Sequence, residues 1–377
     1  MYITSGIESF NKLMGVSFFK RKHSFKNFPF IFGISNLVLY LVSVLISAYQ
    51  SRHDVTKFIY CVATFGFGCQ ATMKVYSFVI TRRYIIDLYE NNLQFYRDMN
   101  RQSDMVKRVL CDNASLTYIV IKATVLIYLL LVVTTMTIPS LSAIFMETRI
   151  LPFGFVIAGL HADTLESYIW NYGIQVIMAV YYWIITVGSD ITTIYNLLTA
   201  CGQLDALMAI IEELNQQLEN NECPEKIQEK IIEIIGQHQY HRSYLQQLVD
   251  FLNPYHFVTV GSTVPTMVIS VLGLVLLDWY PGAAIVFLGS IQMFYICFLG
   301  TSLEIKVMIT DALTLKVGAI HWNKLSVRDM KHMNLVLAMT QTPKVLAVAT
   351  LPLNITAYLK IHKFIYSLIM MLQNTKD

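Results

Sequence analysis

The stretch VLAVATLPLNITAYLKIHKFIYSLIMML, residues 345–372, decides what class of protein this is. A helix that crosses a bilayer needs about 20 predominantly apolar residues, and this run is longer. Its apolar residues are interrupted by Lys360, His362, Lys363, Tyr366 and Ser367. Such groups are costly against lipid, so we expect them to face protein, water or an ion path. The sequence leaves two interpretations open here: lysines that reach out to the membrane surface, or a helix that lines a pore.

The segment before this run predicts a short helix that ends at a proline. Ser326 and Asp329 have the spacing of a capping box, which starts a helix. The apolar residues that then recur on one face of the helix are Met330, Met333 and Leu337. Pro343 has no backbone N–H, so it ends or kinks that helix.

The whole chain has the composition of an integral membrane protein. Of its 377 residues, 55% are hydrophobic and 14% are charged, whereas about 25% are charged in an ordinary globular domain. The apolar residues fall into seven blocks: 30–49, 58–80, 118–138, 169–194, 255–277, 283–303 and 345–372. We therefore predict an all-α integral membrane protein with seven transmembrane helices.

Lysine and arginine are distributed unequally, which predicts the orientation of the chain. Basic residues are concentrated in the N-terminal tail 1–29, in the segment 81–117 and in the connection 304–344. The opposite side carries only Arg52, Lys57 and Arg149, with Lys376 in the tail. The N-terminus is therefore predicted to be cytoplasmic and, after an odd number of spans, the C-terminus extracellular.

The predicted spans divide the chain into six segments. The cytoplasmic segment 1–29 is expected to lie along the inner membrane surface. The membrane segments are 30–196 with helices one to four and the outer loop 139–167, 253–303 with helices five and six, and 345–377 with the seventh helix and tail. Between them, 197–252 and 304–344 are predicted to form a cytoplasmic helical anchor.

The segment 197–252 is predicted to be a helical hairpin that continues helix four beyond the membrane. Apolar residues recur every three or four positions on both sides of a turn at 220–224. One face is too apolar to stand alone in water, so we expect it to pack against the helix 326–342 and against neighbouring subunits. His238 and His241 lie here and are expected to make polar contacts within the packed helices.

Three features of the membrane part lead to further expectations. The outer loop contains Phe153, Phe155 and Ile157, so it either folds down onto the bundle as a lid or simply packs there. Helix three is expected to end near Pro139. Lys74 is expected to reach out to the inner membrane surface.

Several classes of site have no support in the sequence. The six cysteines form no CxxC pair and no metal-ligand cluster, so no metal site is predicted. No catalytic residues and no cofactor are predicted either. A formal net charge of +3 gives no reason to expect nucleic acid as a partner, and no cleavable signal peptide is expected.

Short motifs over most of the chain resemble the insect odorant receptor family. Gln292-Met-Phe-Tyr-Ile-Cys297 with Gly300 is similar to the family's Gln-x-Phe-x-Tyr-Cys-x-x-Gly, although Tyr295 stands one place early. Weaker matches are Trp322, Gln341-Thr-Pro343, Ile365-Tyr-Ser-Leu368, Leu151-Pro-Phe153, Tyr168-Ile-Trp170 and His238-Gln239. Gly318 departs from the pattern, because a tyrosine is usual there.

The resemblance implies an odorant-gated, nonselective cation channel that is a tetramer. A variable odorant-binding subunit, here this chain, would assemble with a shared co-receptor subunit in the plasma membrane of olfactory sensory neurons. The implied partners are therefore the co-receptor, a small volatile odorant, the lipid bilayer and permeant cations. The last helix would line the pore, with an apolar constriction about Met371. The implied pore and gate residues are Tyr366, Met370, Met371, Asn374 and Thr375. Thr375 is less apolar than the aliphatic residue that is usual in the family at that position.

The resemblance also places the odorant pocket in the outer half of the bundle, between helices two, three, four and six. The candidates that line it are Phe65, Cys69, Tyr128, Leu131, Thr135, Ile174, Ile177, Met178, Phe287 and Ile291. Ordinary helix packing is the alternative for each of them. A mostly apolar pocket without a dedicated acid or base favours small apolar or aromatic volatiles.

Three other classes of protein share some of these features. A G-protein-coupled receptor has the opposite orientation and a cysteine in the outer loop, which 139–167 lacks. A gustatory-type chemoreceptor channel is closer. The final helix of that family carries Thr-Tyr, then five apolar residues, then Gln-Phe, whereas here six residues separate Tyr366 from Gln373. A membrane transporter would need an inverted repeat, and an intramembrane hydrolase would need paired acids. Asp190 has no second carboxylate within the predicted spans to pair with.

Overall fold

The computed structural model describes residues 2–16, 27–145, 149–160, 164–277, 281–308, 310–341, 347–348, 351–352 and 354–376. The helices in these ranges are α1 Tyr2–Leu13, α2 Phe28–Gln50, α3 Val55–Ile80, α4 Arg82–Met99, α5 Asp104–Phe145, α6 Leu165–Glu219, α7 Pro224–Leu277, α8 Pro281–Met308, α9 Thr310–Gly318, α10 Val327–Thr340 and α11 Ile355–Lys376. A 3-10 turn spans Trp322–Lys324, and the short strands β1 Ala347–Val348 and β2 Leu351–Pro352 pair antiparallel.

Each of the seven predicted spans overlaps one helix, namely α2, α3, α5, α6, α7, α8 and α11. Five stretches in the described residues are long and apolar enough to cross a membrane: Phe28–Gln50, Asp104–Phe145, Leu165–Glu219, Pro224–Leu276 and Ile355–Gln373. α3 has the length but carries Gln70 and Lys74, and the apolar stretch of α8, Ile285–Phe298, is shorter. The helical membrane architecture is confirmed, whereas the side on which each terminus lies stays a prediction.

Prolines interrupt the helices less than the sequence predicted. α5 continues through Pro139 to Phe145, and α7 contains both Pro254 and Pro265, so no break separates the hairpin from the fifth span. A proline removes one backbone hydrogen bond, and neighbouring hydroxyls can satisfy the carbonyl groups that it frees.

The last helix begins later than predicted. α11 starts at Ile355 rather than at 345, and β1 and β2 precede it. Asn354 caps the new start, because its Oδ1 accepts the backbone N–H of Ala357 at 3.0 Å. Pro343, at the predicted end of α10, lies outside the described residues, but α10 does end just before it, at Thr340.

The predicted anchor forms where α6 and α7 run on beyond the spans. We use "anchor" for residues 197–252 together with α9 and α10. The turn between α6 and α7 contains Asn221 with a φ of 52°, a conformation that asparagine tolerates better than most residues. Leu214 and Ile231 are fully buried in one cluster with Met333 of α10. The predicted capping box is confirmed, because Ser326 Oγ accepts the Asp329 N–H at 3.2 Å.

One local contact fixes the start of α3, and one long-range contact fixes the position of α1. Asp54 caps α3 by accepting the backbone N–H of Lys57 at 3.1 Å, and this bond lowers the pKa of the Asp54 carboxyl. At the N-terminus, α1 packs against α6 instead of only following a membrane surface. Asn11 Nδ2 donates to Thr192 Oγ1 at 3.2 Å, and Ile7 lies in a cluster with Ile191.

We expect the anchor to depend on Ile231, which is 0% exposed. Ile231→Ala should lower the free energy of unfolding by about 2–5 kcal/mol, because it removes buried methyl groups and leaves a cavity. The adjacent Ile232 is 57% exposed, so Ile232→Ala should change stability by about 0.5 kcal/mol or less. Thermal denaturation of the detergent-solubilised variants measures both. Equal losses in the two variants would contradict the packing described here.

Candidate functional site

A buried ion pair lies in the middle of the helix bundle. Lys74 Nζ on α3 is 2.9 Å from Asp190 Oδ1 on α6, and the Lys74 side chain is 0% exposed. The prediction that Lys74 reaches the membrane surface is therefore wrong. Its partner stands 116 residues away in the sequence, so no local pattern could indicate the pair.

Two tyrosines complete the surroundings of the Asp190 carboxylate. Tyr128 on α5 donates its hydroxyl to Oδ2 at 2.8 Å, and Tyr255 on α7 donates to Oδ1. Lys74 Nζ also lies 5.5 Å from the centre of the Tyr255 ring, a favourable cation–π distance. Burying a charge is costly unless it is paired and hydrogen-bonded, and here both conditions are met. We call Lys74, Tyr128, Asp190 and Tyr255 the polar core.

One turn along α3, a row of side-chain amides and hydroxyls connects the same helices. Gln70 Nε2 donates to Thr263 Oγ1 of α7 at 2.8 Å and to Gln292 Oε1 of α8 at 2.9 Å. Tyr182 of α6 donates to Gln70 Oε1 at 2.7 Å. We call Gln70, Tyr182, Thr263 and Gln292 the amide chain. It gives four membrane helices a fixed register at one depth.

A small cavity of about 20 Å³ lies beside the polar core. Its walls include Tyr128, Asp190, Thr193, Tyr255, His256, Gln292 and Tyr295. A cavity of this size holds about one water molecule, so it cannot take a whole organic ligand as it stands.

The described part of the outer loop, residues 149–160, folds down onto the bundle as a lid. The backbone N–H groups of Phe153, Ile157 and Ala158 donate to Gln175 Oε1, Asn171 Oδ1 and Ser43 Oγ at 3.0, 2.8 and 3.0 Å. At Gly154 the φ is +69°, and a Cβ there would overlap the ring of Tyr60. Side chains of α2 and α6 thus bind the loop backbone where water would otherwise do so.

Three of the predicted pocket residues meet under this lid. Phe65 of α3 with Ile174 and Met178 of α6 pack in one apolar cluster with Phe153 and Phe155 of the lid. Phe155 is 1% exposed, and its ring stands edge-on to Tyr40 with a centroid separation of 5.0 Å. We call this group the outer cluster. Its side chains are apolar and aromatic, as the walls of a site for a small apolar ligand are.

The other predicted pocket residues are distributed around the bundle. Tyr128 belongs to the polar core, and the half-buried residues are Cys69, Leu131, Thr135 and Ile291. Ile177 and Phe287 are 50% and 61% exposed, so they face away from the interior of this chain. Their assignment to a ligand pocket stays a prediction.

The last helix, α11, is covered on one side only. Ile361, Ile365 and Ile369 pack with Met293 and Cys297 of α8. The predicted pore residues Tyr366, Met370 and Met371 are exposed, at 61%, 41% and 58%. The side chains of the predicted pore residues Asn374 and Thr375 lie outside the described part of the chain.

Polar contacts attach α11 to α8 at two heights. His362 Nε2 lies 2.9 Å from Ser290 Oγ, and its Nδ1 lies 3.0 Å from the backbone oxygen of Tyr358. Nearer the start of α11, the backbone N–H of Ile355 donates to Thr301 Oγ1 at 2.7 Å. These contacts connect α11 directly to α8.

The polar core and the amide chain are the part of the site that the sequence did not predict, apart from Tyr128. One signal for them was present, because ionisable groups inside apolar spans are costly and therefore paired or functional. Lys74 and Asp190 are such groups, but their pairing depends on how α3 packs against α6.

The chain matches known proteins over almost its whole length. The sequence model of the family described as 7tm Odorant receptor matches residues 54–366. The fold is similar to the structure of the insect olfactory receptor OR5 from Machilis hrabei, with a TM-score of 0.74, 11% sequence identity and coverage of 98% of both chains. The structure of OR5 in complex with eugenol gives a TM-score of 0.73, 11% identity and coverage of 99% of both chains.

We expect the ion pair to be needed as a unit. Lys74→Met leaves the Asp190 carboxylate buried without its cation, which should cost about 3–5 kcal/mol of stability. Lys74→Met combined with Asp190→Asn removes both charges and should recover much of that loss. Thermal stability and surface expression measure both effects.

A matched control lies on the same helix. Lys57 pairs with Asp54 at 3.3 Å, but its side chain is 71% exposed, so Lys57→Met should change stability by about 1 kcal/mol or less. A double variant as unstable as Lys74→Met alone would show that the charges are not coupled.

Proposed function

Because the chain belongs to the 7tm odorant receptor family, we propose that it is the odorant-binding subunit of a ligand-gated, nonselective cation channel. The match of the family's sequence model to residues 54–366 carries this proposal. The geometry supports it in three places: an apolar cluster under a lid, a half-covered last helix, and direct bonds between that helix and α8.

The ligand that this interior fits is small and largely apolar. The outer cluster joins Phe65, Ile174 and Met178 to aromatic rings of the lid, and such surfaces bind apolar or aromatic molecules by dispersion and by exclusion of water. The related OR5 was solved with eugenol, a small aromatic molecule. We propose a volatile of that general size, with the ten predicted pocket residues as its candidate contacts.

Access to the outer cluster requires the lid to move. Its backbone is held by side chains of α2 and α6, and breaking one such hydrogen bond costs only about 0.5–1.5 kcal/mol if water replaces it. The free energy of odorant binding can therefore offset the free-energy cost of a local opening of the lid.

The route from ligand to gate runs through α8. Ile291 and Phe287 are candidate ligand contacts on α8, and Ser290 between them is bonded to His362 of α11. A ligand that binds better to one position of α8 shifts the population of α11 positions with it. Met371, on the exposed side of α11, suits an apolar constriction that opens by wetting.

The exposed side of α11 supports assembly with other subunits. Only 11% of its apolar stretch is buried within the chain, the same share as for α5, so the polar side chains on that side distinguish α11. Lys363, Tyr366 and Ser367 are exposed there, and such groups are costly against lipid. We propose that they face an aqueous pore or neighbouring subunits of a heterotetramer with a shared co-receptor, in the plasma membrane of olfactory sensory neurons.

Whole-cell current in cells that express this chain, with and without an insect co-receptor subunit, tests the proposal. A panel of volatiles should evoke current only in the paired cells, without G-protein signalling. Current from this chain alone would identify a self-sufficient channel of the gustatory type. Silence in paired cells with confirmed surface expression, across a broad panel, would contradict the proposal.

We expect Met178→Ala to change ligand selectivity. Removing a side chain from the wall of an apolar pocket typically changes discrimination between ligands by about 1–3 kcal/mol, or about 10- to 200-fold. Dose–response curves for odorants of different size should therefore shift unequally. Val180 is on the same helix but 46% exposed, so Val180→Ala should leave the order of ligands unchanged. A uniform shift in both variants would argue against a pocket at Met178.

We expect Ser290 and His362 to couple odorant binding to opening. Ser290→Ala and His362→Leu should each lower the maximal current, and their effects should not add because both remove the same contact. The double variant should then resemble either single one. Ser262→Ala on α7 is the control, because the Ser262 hydroxyl donates to the backbone oxygen of Val258 in its own helix. Additive losses would show that the contact does not transmit gating.

A further inference from the structure

A stripe of polar side chains runs along α11 on the side that faces away from the bundle. It consists of Thr356, Lys360, Lys363 and Ser367, all of which are exposed. At 3.6 residues per turn, these four positions fall within an arc of about 60° around the helix axis. The buried Ile365 lies nearly opposite to that arc. The stripe is therefore on the side of α11 that its own chain leaves uncovered.

The two lysines give this stripe a positive charge that nothing in α11 balances. Residues 355–376 contain no aspartate and no glutamate. Among the described residues, neither Lys360 nor Lys363 forms an ion pair. Lys74, by contrast, is buried inside the bundle and paired with Asp190. The lysines of α11 therefore need surroundings that their own chain does not supply.

The contact between α11 and α8 gives the depth of this charge. His362 Nε2 lies 2.9 Å from Ser290 Oγ, and Ser290 stands near the middle of the apolar stretch Ile285–Phe298 of α8. Lys363 follows His362 directly in the chain. A lysine near the end of a span can reach out to the membrane surface, whereas one near the middle is costly against lipid. Lys363 therefore requires water or protein around it.

We propose that Lys360 and Lys363 line the ion path and make it less permeable to divalent than to monovalent cations. This inference rests on the proposed function, in which α11 lines the pore. Coulomb energy is proportional to the product of the charges, so a fixed positive charge repels a divalent cation twice as strongly as a monovalent one. Charged side chains set ion selectivity in channels in this way. The exposed Met371, the predicted constriction, lies on the same side of the helix.

Other surroundings fit the stripe less well. Against lipid, the ammonium group of Lys363 would lie in hydrocarbon without a partner. Against the same helix of a second copy, lysines would meet lysines, because residues 355–376 carry no acid. An aqueous path solvates the ammonium groups, and water can also hydrogen-bond to the hydroxyls of Thr356 and Ser367. Water on this side of α11 is what the charge and the depth of the stripe require.

Reversal potentials of the odorant-evoked current, in cells that also express an insect co-receptor, test the proposal. With sodium or calcium outside and caesium inside, Lys360→Gln combined with Lys363→Gln should raise the permeability to calcium relative to sodium by about two- to fivefold, because salt screens part of the repulsion. Arginine at both positions keeps the charge and should keep the ratio of the parent chain. Lys57→Gln, at an exposed position on α3, is the control.

The outcomes separate this proposal from the proposed function. An unchanged calcium-to-sodium ratio in the double glutamine variant, with odorant-evoked current intact, would overturn the role of the lysines and leave the channel function standing. A parent chain at the cell surface that gives no odorant-evoked current with the co-receptor would contradict the proposed function itself, and this inference with it.

Chemical modification of one position gives a second test within a single folded variant. Charged methanethiosulfonate reagents react with the thiol that Lys363→Cys introduces only if water reaches it. A cationic reagent should return the calcium-to-sodium ratio to that of the parent chain, and an anionic reagent of similar size should raise it further. The parent chain, treated identically, controls for exposed native thiols such as Cys111 and Cys223. If neither reagent changes the current, position 363 does not face water and the proposal is overturned.

Discussion

The buried charge of Asp190 is the constraint on which the membrane part of this structure depends. A carboxylate surrounded by apolar helices cannot be solvated by water, so protein groups must replace the hydration shell. Lys74, Tyr128 and Tyr255 do so from α3, α5 and α7. Each of these helices is thereby held against α6 at one rotation and one depth. Apolar packing alone gives membrane helices little preference for one register over another.

The length of α6 and α7 is the second feature on which the structure depends. α6 and α7 are 55 and 54 residues long, which is far more than a bilayer requires. The same two helices therefore hold the polar core at one level and the anchor cluster at another. Because a continuous helix transmits rotation and translation along its axis, the anchor can influence the membrane interior and the reverse. The turn at Asn221 joins their far ends.

The interior and α11 differ in how they are attached. α3, α6 and α7 share buried polar contacts, whereas α11 meets α7 and α8 mostly through one apolar face, with polar contacts to α8 at Ser290 and Thr301. Apolar contacts tolerate sliding better than directional hydrogen bonds do. This difference in attachment suits a member of the odorant receptor family, since a channel needs a stable frame and one element that can shift.

The sequence by itself determined the helical membrane class, the approximate position of each long apolar helix except the start of α11, and the presence of the helical hairpin. They depend on the spacing and length of apolar stretches, such as those that contain Leu214 in α6 and Ile231 in α7. Such properties are local in the sequence. It also identified Met178 and Phe65 as candidate pocket residues and the outer loop as apolar and aromatic. It did not show that these residues pack together under the lid. Only the tertiary structure decided that Lys74 pairs with Asp190, that α7 runs through two prolines, and which face of α11 is uncovered. Each of these is set by contacts between residues far apart in the chain, whose energies depend on distance and burial that a sequence does not contain.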